Sequence, residues 1–226
     1  MSGKKVFFFG GGQADGNTGM RNLLGGKGAN LAEMVSMGIP VPPGFTISTE
    51  ACIEYQSSQE LSAELKTQAK AALAQVEKVM GKTFADPADP LLFSVRSGAR
   101  VSMPGMMDTV LNLGLNDETV QGLAARSGNE RFAYDSYRRL VQMYGDVVMG
   151  VEGEKLEHAI DAIKEKYGVA LDTDLTVENL KELIGEFKAI ISRETGSNFP
   201  SDPFEQLWGG VEAVFKSWNV PRAEEY

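Results

Sequence analysis

Apolar positions in this chain follow two patterns, and each predicts a different kind of element. Short apolar runs rich in β-branched and aromatic residues, bounded by Gly or Pro, are typical of strands. Such runs occur in about the first 115 residues, and the part that follows offers no convincing strand. The predicted strands are Val6–Phe9, Gly44–Ser48, Leu91–Arg96 and Thr109–Leu113.

Apolar residues spaced three or four apart predict amphipathic helices along most of the remaining sequence. Gly follows several of these patterns, as expected at helix ends, and Thr176 precedes one of them as a candidate N-cap. The predicted helices are Ala29–Met37, Leu61–Met80, one capped by Asn116 or Asp117, 133–147, 152–167, 176–194 and Phe204–Trp218.

These elements predict an α+β or α/β fold in two parts. Residues 1–115 with 202–226 are expected to form an α/β subdomain with a short mixed sheet, and residues 116–201 an all-helical inserted subdomain. The side chains predicted to pack in the cores are Met34, Met37, Phe45, the apolar stripe within 61–79, Trp208 and Trp218.

Composition narrows the possible functions of this 226-residue chain. A net charge of −9 disfavours extended contact with nucleic acid, and no apolar run approaches the roughly 20 residues that cross a bilayer. With one cysteine, Cys52, and one histidine, His158, an internal disulfide is excluded and zinc or Cys–His sites are disfavoured. We therefore expect a cytoplasmic protein that binds neither nucleic acid nor membrane.

The first candidate segment for chemistry is Gly25-Gly26-Lys27-Gly28 before a predicted helix. Glycines let a backbone approach a ligand closely, the helix start offers unpaired amides to an anion, and Lys27 adds a mobile charge. The segment is not a Walker A loop, because Gly28 stands where Ser or Thr should follow the lysine. The alternative interpretation is a flexible turn with a solvated lysine.

A second candidate is the segment from Arg96 to Thr109, which leaves a predicted strand and is rich in Ser and Gly. Arg96 can bind phosphate oxygens in a forked geometry, while amides and hydroxyls supply further donors. The segment is long for a simple connection, and long loops are often functional. Asp108 is the nearest carboxylate, and no metal ligand is predicted. The alternative interpretation is a structural turn with a surface arginine.

Other polar residues are expected to be structural. His158 lies in a charged helical pattern and is predicted to be a surface residue. Arg131 and Arg139 each stand four residues from Asp135, a spacing typical of a helix face with ion pairs, although Arg131, Arg138 and Arg139 could also dock a partner domain.

Several blocks of sequence, in order over nearly the whole chain, also carry a family resemblance. They are Leu24–Gly28, Asn30–Met34, Pro43–Thr46, Ser94–Leu115, Arg131–Arg139, Val214–Trp218 and Pro221–Ala223. Together these blocks resemble the ATP-binding region of pyruvate phosphate dikinases. Phosphoenolpyruvate synthases share the first block and the arginine, but they usually carry an acidic loop where this chain has Met103–Thr109.

The resemblance implies a reaction and a set of site residues. The family converts ATP, pyruvate and phosphate to AMP, phosphoenolpyruvate and pyrophosphate, and its ATP-grasp domain passes a phosphoryl group to a histidine on a swivelling domain. Lys27 and Arg96 would be catalytic contacts to the ATP phosphates, and Gly105–Thr109 would close over them. The nucleotide-binding residues implied are Gly25, Gly26, Lys27, Arg96, Ser97, Gly105, Met106, Met107, Asp108 and Thr109.

By the same resemblance, further parts of a parent enzyme would complete the catalyst. These partners are a second ATP-grasp half, a phosphohistidine domain and a pyruvate-binding barrel, and the second half would carry the ligands for Mg²⁺. The isolated chain is therefore expected to be incomplete. The alternatives are the ATP-binding domain of a phosphoenolpyruvate synthase or a glucan dikinase, and a non-catalytic nucleotide-binding module.

Overall fold

The computed structural model describes residues 3–98 and 109–218. In this part of the chain, the strands are short and the helices dominate, so the fold is mixed α/β as predicted. The strands are β1 (Val6–Gly10), β2 (Gln13–Ala14), β3 (Gly44–Ile47), β4 (Phe93–Val95) and β5 (Val110–Leu113).

The described strands form two separate antiparallel sheets, one in the order β2-β1-β3 and the other pairing β4 with β5. The prediction of one short mixed sheet is therefore wrong in this detail. One physical reason is the length of the connection between β1 and β2, because Gly11 and Gly12 alone separate the two strands. A two-residue turn can join only antiparallel neighbours.

Helices account for most of the described residues, and several end where the sequence predicted. Ser62 caps the start of one helix with its side chain and Gly81 ends it, while Thr176 forms a reciprocal capping box with Asn179. The helices are α1 (Arg21–Ser36), α2 (Thr49–Ser58), α3 (Ala63–Met80), α4 (Thr119–Ser127), α5 (Glu130–Met143), α6 (Gly153–Tyr167), α7 (Val177–Thr195) and α8 (Pro203–Ser217).

The described residues divide into two compact units. The first unit comprises 3–82, 96–98 and 214–218, and its centre is β1, all five residues of which are buried. The side of α3 that carries Leu65, Leu73 and Val76 is buried, and α3 packs against β1. The end of α8 joins this unit through Phe215, whose ring lies 5.4 Å from that of Tyr55.

The second unit comprises Thr83–Val95 and 109–213 and is mainly helical. In it, α5 packs against α4, α7 and β5. Gln206 of α8 is fully buried, and its amide accepts a hydrogen bond from the Gly114 backbone and donates to the carbonyls of Leu115 and Pro200. Because each polar atom of this amide has a partner, its burial is tolerated.

A division at residues 115 and 116 into an α/β part and a helical part stays a prediction. By their contacts, residues 83–95 and 109–115 belong with the helices of the second unit. The end of α8 from Val214 onward belongs to the first unit.

Three side chains that the sequence assigned to a core are exposed. Met34 and Met37 are 38% and 68% exposed, because α1 buries the face that carries Gly28, Ala32 and Val35. Val79, at the end of the stripe on α3, is 46% exposed. The rest of that stripe, including Leu61 and Leu65, is buried as predicted.

Candidate functional site

The segment Gly25–Gly28 lies within α1, where the helix is interrupted by a kink. Gly25 has φ 70° and ψ 169°, a conformation open almost only to glycine, so a new helical segment begins at Gly26. The first amides of this segment, at Gly26, Lys27 and Gly28, therefore stand at a helix start, where amides lack partners within the helix. The sequence predicted this helix only from Ala29, because glycines are poor helix formers.

Gly25 brings α1 into direct contact with the residues that follow β4. A Cβ placed on Gly25 would lie 2.0 Å from the carbonyl oxygen of Gly98, so any larger residue would collide with the backbone there. Gly28 lies similarly close to β3, since its Cβ would lie 2.7 Å from the Cγ2 of Thr46. Because neither glycine has a side chain, the kinked helix can lie this close to Gly98 and Thr46.

Lys27 reaches the same segment with its side chain. Its ammonium donates to the carbonyl oxygen of Ser97 at 3.4 Å, across 70 residues of sequence. Among the described residues this is the only hydrogen bond or ion pair of the ammonium, and the distance is at the long end of the hydrogen-bonding range. The two segments singled out by the sequence therefore meet. We call Gly25–Gly28 together with Arg96–Gly98 the glycine junction.

Arg96 is exposed at the start of the second segment, directly after β4. It makes no hydrogen bond or ion pair with any residue that the structure describes. Ser97 beside it is only 4% exposed, and its hydroxyl accepts a hydrogen bond from the Trp218 indole at 3.2 Å. The junction thus contains one exposed arginine, Arg96, and one half-buried lysine, Lys27.

The remaining predicted site residues lie in the second segment. Gly105, Met106, Met107 and Asp108 fall outside the described residues. Thr109 is half-buried and directly precedes β5. The site roles of all ten residues stay predictions.

Polar residues on α5 and α6 largely behave as the sequence indicated. His158 is exposed on α6, and Arg139 pairs with Asp135 at 3.1 Å. The predicted pairing of Arg131 with Asp135 is wrong, because Arg131 instead donates to the carbonyl oxygens of Leu175 and Asp172, both at 2.8 Å. Carbonyls 41 and 44 residues away cannot be foreseen from the spacing along one helix.

A separate open cavity of about 390 Å³ lies between the beginning of β1 and α3. Its lining includes Lys4 and Asp15, which form an ion pair at 2.9 Å, and no residue of the glycine junction. Within 3–98 and 109–218, no three His, Cys, Asp or Glu side chains are grouped so as to hold a metal ion. Among the described helices, none has both the length and the apolar character needed to cross a bilayer.

Comparison with known proteins identifies the family of this chain. A family model described as "Pyruvate phosphate dikinase, AMP/ATP-binding domain" matches residues 21–72 and 59–226. The chain belongs to this family. Both halves of the junction lie within the matched residues.

Curated relatives in the dikinase family are similar over nearly the whole chain. Pyruvate, phosphate dikinase from Clostridium symbiosum is 57% identical over 94% of the chain, and pyruvate, phosphate dikinase 1, chloroplastic, from Arabidopsis thaliana is 56% identical over 99%. The Giardia intestinalis relative is 52% identical over 100%. The chain spans 24%, 23% and 26% of their respective lengths, about a quarter in each case. The predicted cytoplasmic location stays a prediction.

One contact at the junction was not anticipated from sequence. Trp218 was predicted only to pack, yet its indole N–H is bonded to Ser97 across 121 residues. The position of a tryptophan just after an amphipathic helix does not predict which distant residue its indole will bond. The family resemblance carried the only hint, since Trp218 and Ser97 both lie within the blocks that resemble the dikinases.

Proposed function

We propose that this chain binds the triphosphate of ATP at the glycine junction. The observation that carries the proposal is the hydrogen bond from Lys27 to Ser97, which joins two glycine-bearing segments and brings the Lys27 ammonium to the residue next to Arg96 in sequence. Membership in a family described by its AMP/ATP-binding domain favours a nucleotide over other anions.

The chemistry of the junction suits a phosphate group. A neutral carbonyl 3.4 Å away holds the Lys27 ammonium weakly, whereas a phosphate oxygen would accept a shorter, charge-assisted hydrogen bond. The amides at the start of the segment from Gly26 add donors and the positive end of a helix dipole. The Arg96 guanidinium adds a planar fork that matches two phosphate oxygens. Ten residues in all are proposed for the site, as named from the sequence.

In the reaction we propose, the chain supplies the first part of an ATP-grasp domain of a pyruvate phosphate dikinase. Positioning and charge stabilisation dominate phosphoryl transfer, and both are what a pair of fixed cations provides. The curated relatives are about four times longer, which supports further domains in a longer parent protein. We propose that these are the second ATP-grasp half, the phosphohistidine domain and the pyruvate barrel. Mg²⁺ would accompany ATP, but the described residues do not fit a site for it, and no role here depends on it.

The rival functions are less favoured. All the relatives compared above are named as pyruvate, phosphate dikinases, which favours that reaction over the synthase or a glucan dikinase. A non-catalytic module that retains nucleotide binding would use the same junction. Assay of a longer protein containing this chain, with pyruvate and with or without phosphate, separates these functions.

Calorimetric titration of the 226-residue chain with MgATP tests the proposal. We expect saturable binding, and a roughly 10- to 100-fold weaker affinity in Lys27→Ala and in Arg96→Ala, because each loses a charged hydrogen bond. Lys188→Ala is the matched control, since Lys188 belongs to the second unit and pairs with Asp117. Absence of ATP binding, or an unchanged affinity in both junction variants, would contradict the proposal.

A further inference from the structure

The hydrogen bond between Trp218 and Ser97 joins the last described residue of the chain to the glycine junction. The Trp218 indole N–H donates to the Ser97 hydroxyl at 3.2 Å. Ser97 is buried at 4% exposure, whereas Trp218, one residue after the end of α8, is half-buried. The indole therefore holds a buried hydroxyl within the segment that begins at Arg96.

Ser97 also contacts the Lys27 ammonium, the cation that is proposed to bind phosphate. Its carbonyl oxygen accepts from the Lys27 ammonium, and the next carbonyl, that of Gly98, lies against Gly25. Ser97 thus links the two groups, because its hydroxyl accepts from the Trp218 indole and its carbonyl accepts from the Lys27 ammonium. A displacement of Ser97 would move both the resting partner of Lys27 and the starting point of the Arg96 side chain.

Packing alone does not account for this arrangement. The end of α8 is already anchored by Val214 and Phe215, which are 8% and 5% exposed, and the Phe215 ring packs on Tyr55. Trp218 adds a directional hydrogen bond beyond that apolar anchor. A phenylalanine at this position would keep an apolar aromatic ring but could not donate to Ser97.

We propose that Trp218 is a positioning residue for nucleotide binding, acting on the phosphate-binding cations through Ser97. The inference rests on the proposed ATP site and names a residue that sets its geometry. Trp218 holds the Arg96–Gly98 segment in place when the Lys27 ammonium exchanges the Ser97 carbonyl for a phosphate oxygen. Because the indole is linked to the ammonium through Ser97, its fluorescence reports the exchange.

The tryptophan content of the chain makes the optical test simple. There are two tryptophans, and Trp208 packs on Phe204 of the second unit, with ring centroids 6.1 Å apart. Trp208→Phe therefore leaves Trp218 as the only indole. In this variant we expect MgATP to change the emission with the same midpoint that calorimetry gives. We also expect Ser97→Ala in the Trp208→Phe background to abolish most of that change.

Binding measurements provide the second test. Removing one ordinary hydrogen bond should weaken MgATP binding roughly 3- to 10-fold, so we expect this loss in Trp218→Phe and in Ser97→Ala. The double variant should be about as weak as either single variant, because both substitutions remove the same contact. Trp208→Phe should bind as the unaltered chain does.

The outcomes separate failure of this inference from failure of the proposed function. If the unaltered chain binds MgATP but Trp218→Phe binds equally well, or if the two losses add fully, the positioning role is wrong and the ATP site stands. If the unaltered chain does not bind MgATP, both are wrong. Should Trp218→Phe fail to fold, the emission of Trp208→Phe with and without Ser97→Ala decides, and an ATP response that survives loss of the Ser97 hydroxyl overturns the inference.

Discussion

Cations on α5 and α7 differ from those at the glycine junction in how their charge is satisfied. Arg131 bonds two backbone carbonyls, Arg138 bonds Asp135 at 2.6 Å and Gln142 at 3.0 Å, and Lys188 pairs with Asp117 at 2.8 Å. By contrast, Lys27 has a single long hydrogen bond to a carbonyl, and Arg96 has no polar partner among the described residues.

This difference distinguishes structural cations from cations available to a ligand. Partial desolvation would raise the pKa of the Asp117 carboxyl, which is exposed, but hydrogen bonds from Lys188 and Tyr137 outweigh this effect and lower the pKa. That carboxylate and its lysine therefore stabilise each other within the second unit. Within the described chain, no carboxylate forms an ion pair with Lys27 or Arg96. An anion that binds there therefore does not have to displace a carboxylate.

Gly25→Ala should have the largest effect, since it attacks the backbone contact that forms the junction. The new Cβ would lie 2.0 Å from the Gly98 carbonyl oxygen, at a φ that alanine rarely adopts. We expect a loss of about 3 kcal/mol or more in the free energy of unfolding, measured in urea, together with loss of MgATP binding.

Gly12→Ala is the matched control for this variant. Gly12 also has a positive φ, 80°, but nothing lies within 4 Å of its added Cβ. Its cost should be about 1 kcal/mol, from backbone strain alone, with MgATP binding retained. Equal effects of the two substitutions would show that the contact with Gly98 contributes nothing.

Arg131→Ala tests the other side of the comparison. Both carbonyls that Arg131 binds lie in the second unit, and Leu175 is 1% exposed. Loss of two charged hydrogen bonds should lower the free energy of unfolding by about 2 kcal/mol and leave MgATP affinity unchanged. Arg139→Ala, which removes an exposed pair with Asp135, should cost under about 0.5 kcal/mol. Weakened ATP binding in Arg131→Ala would remove the distinction between the two groups of cations.

Cys52 offers a smaller test of the packing of the first unit. Burial raises the pKa of its thiol to about 11, from an ordinary 9.0. Below pH 9 the thiol is neutral in both the folded and the unfolded chain, so burying it contributes fully to the free energy of unfolding there. As pH rises from 9 towards 11, the unfolded chain loses the proton first and stability falls.

The measurement compares the unaltered chain with Cys52→Ala at pH 7 and pH 10. The unaltered chain should lose about 1 kcal/mol more between these pH values, because only its unfolded state releases a thiol proton. An identical pH dependence in the two proteins would mean that Cys52 is open to water.

Gly185→Ala should have the smallest effect and the opposite sign. Gly185 is exposed inside α7 of the second unit, with no positive φ and with nothing within 4 Å of an added Cβ. Alanine there should raise the free energy of unfolding by about 0.5–1 kcal/mol and leave MgATP binding unchanged. Destabilisation by this substitution would show that even open glycines of the chain have specific packing roles.

Local signals in the sequence predicted much of the fold. The strand beginning at Val6, the helix capped by Thr176 and the one ended by Gly81 all occur where caps and apolar periodicity placed them. In contrast, α2 was missed, because its apolar face is short and its ends carry no glycine. The buried face of α1 was predicted wrongly because four of its six buried residues are glycine or alanine, whereas Met34 and Met37 are exposed.

The candidate site was predicted as two separate segments, and their meeting was not derivable from local pattern. Lys27 and Ser97 lie 70 residues apart, and their contact depends on the kink at Gly25. Helix propensity indicates only that a glycine is flexible and does not predict such a kink. The family resemblance supplied the expectation that the segments share a ligand. Trp218 was missed because its partner is set by tertiary structure alone.

An experimental structure of the 226-residue chain with MgATP tests the central claim most directly. We predict phosphate oxygens within about 3 Å of both the Lys27 ammonium and the Arg96 guanidinium, with the Lys27 ammonium withdrawn from the Ser97 carbonyl. A triphosphate bound where neither cation reaches it, such as the cavity beside Lys4 and Asp15, would contradict the claim.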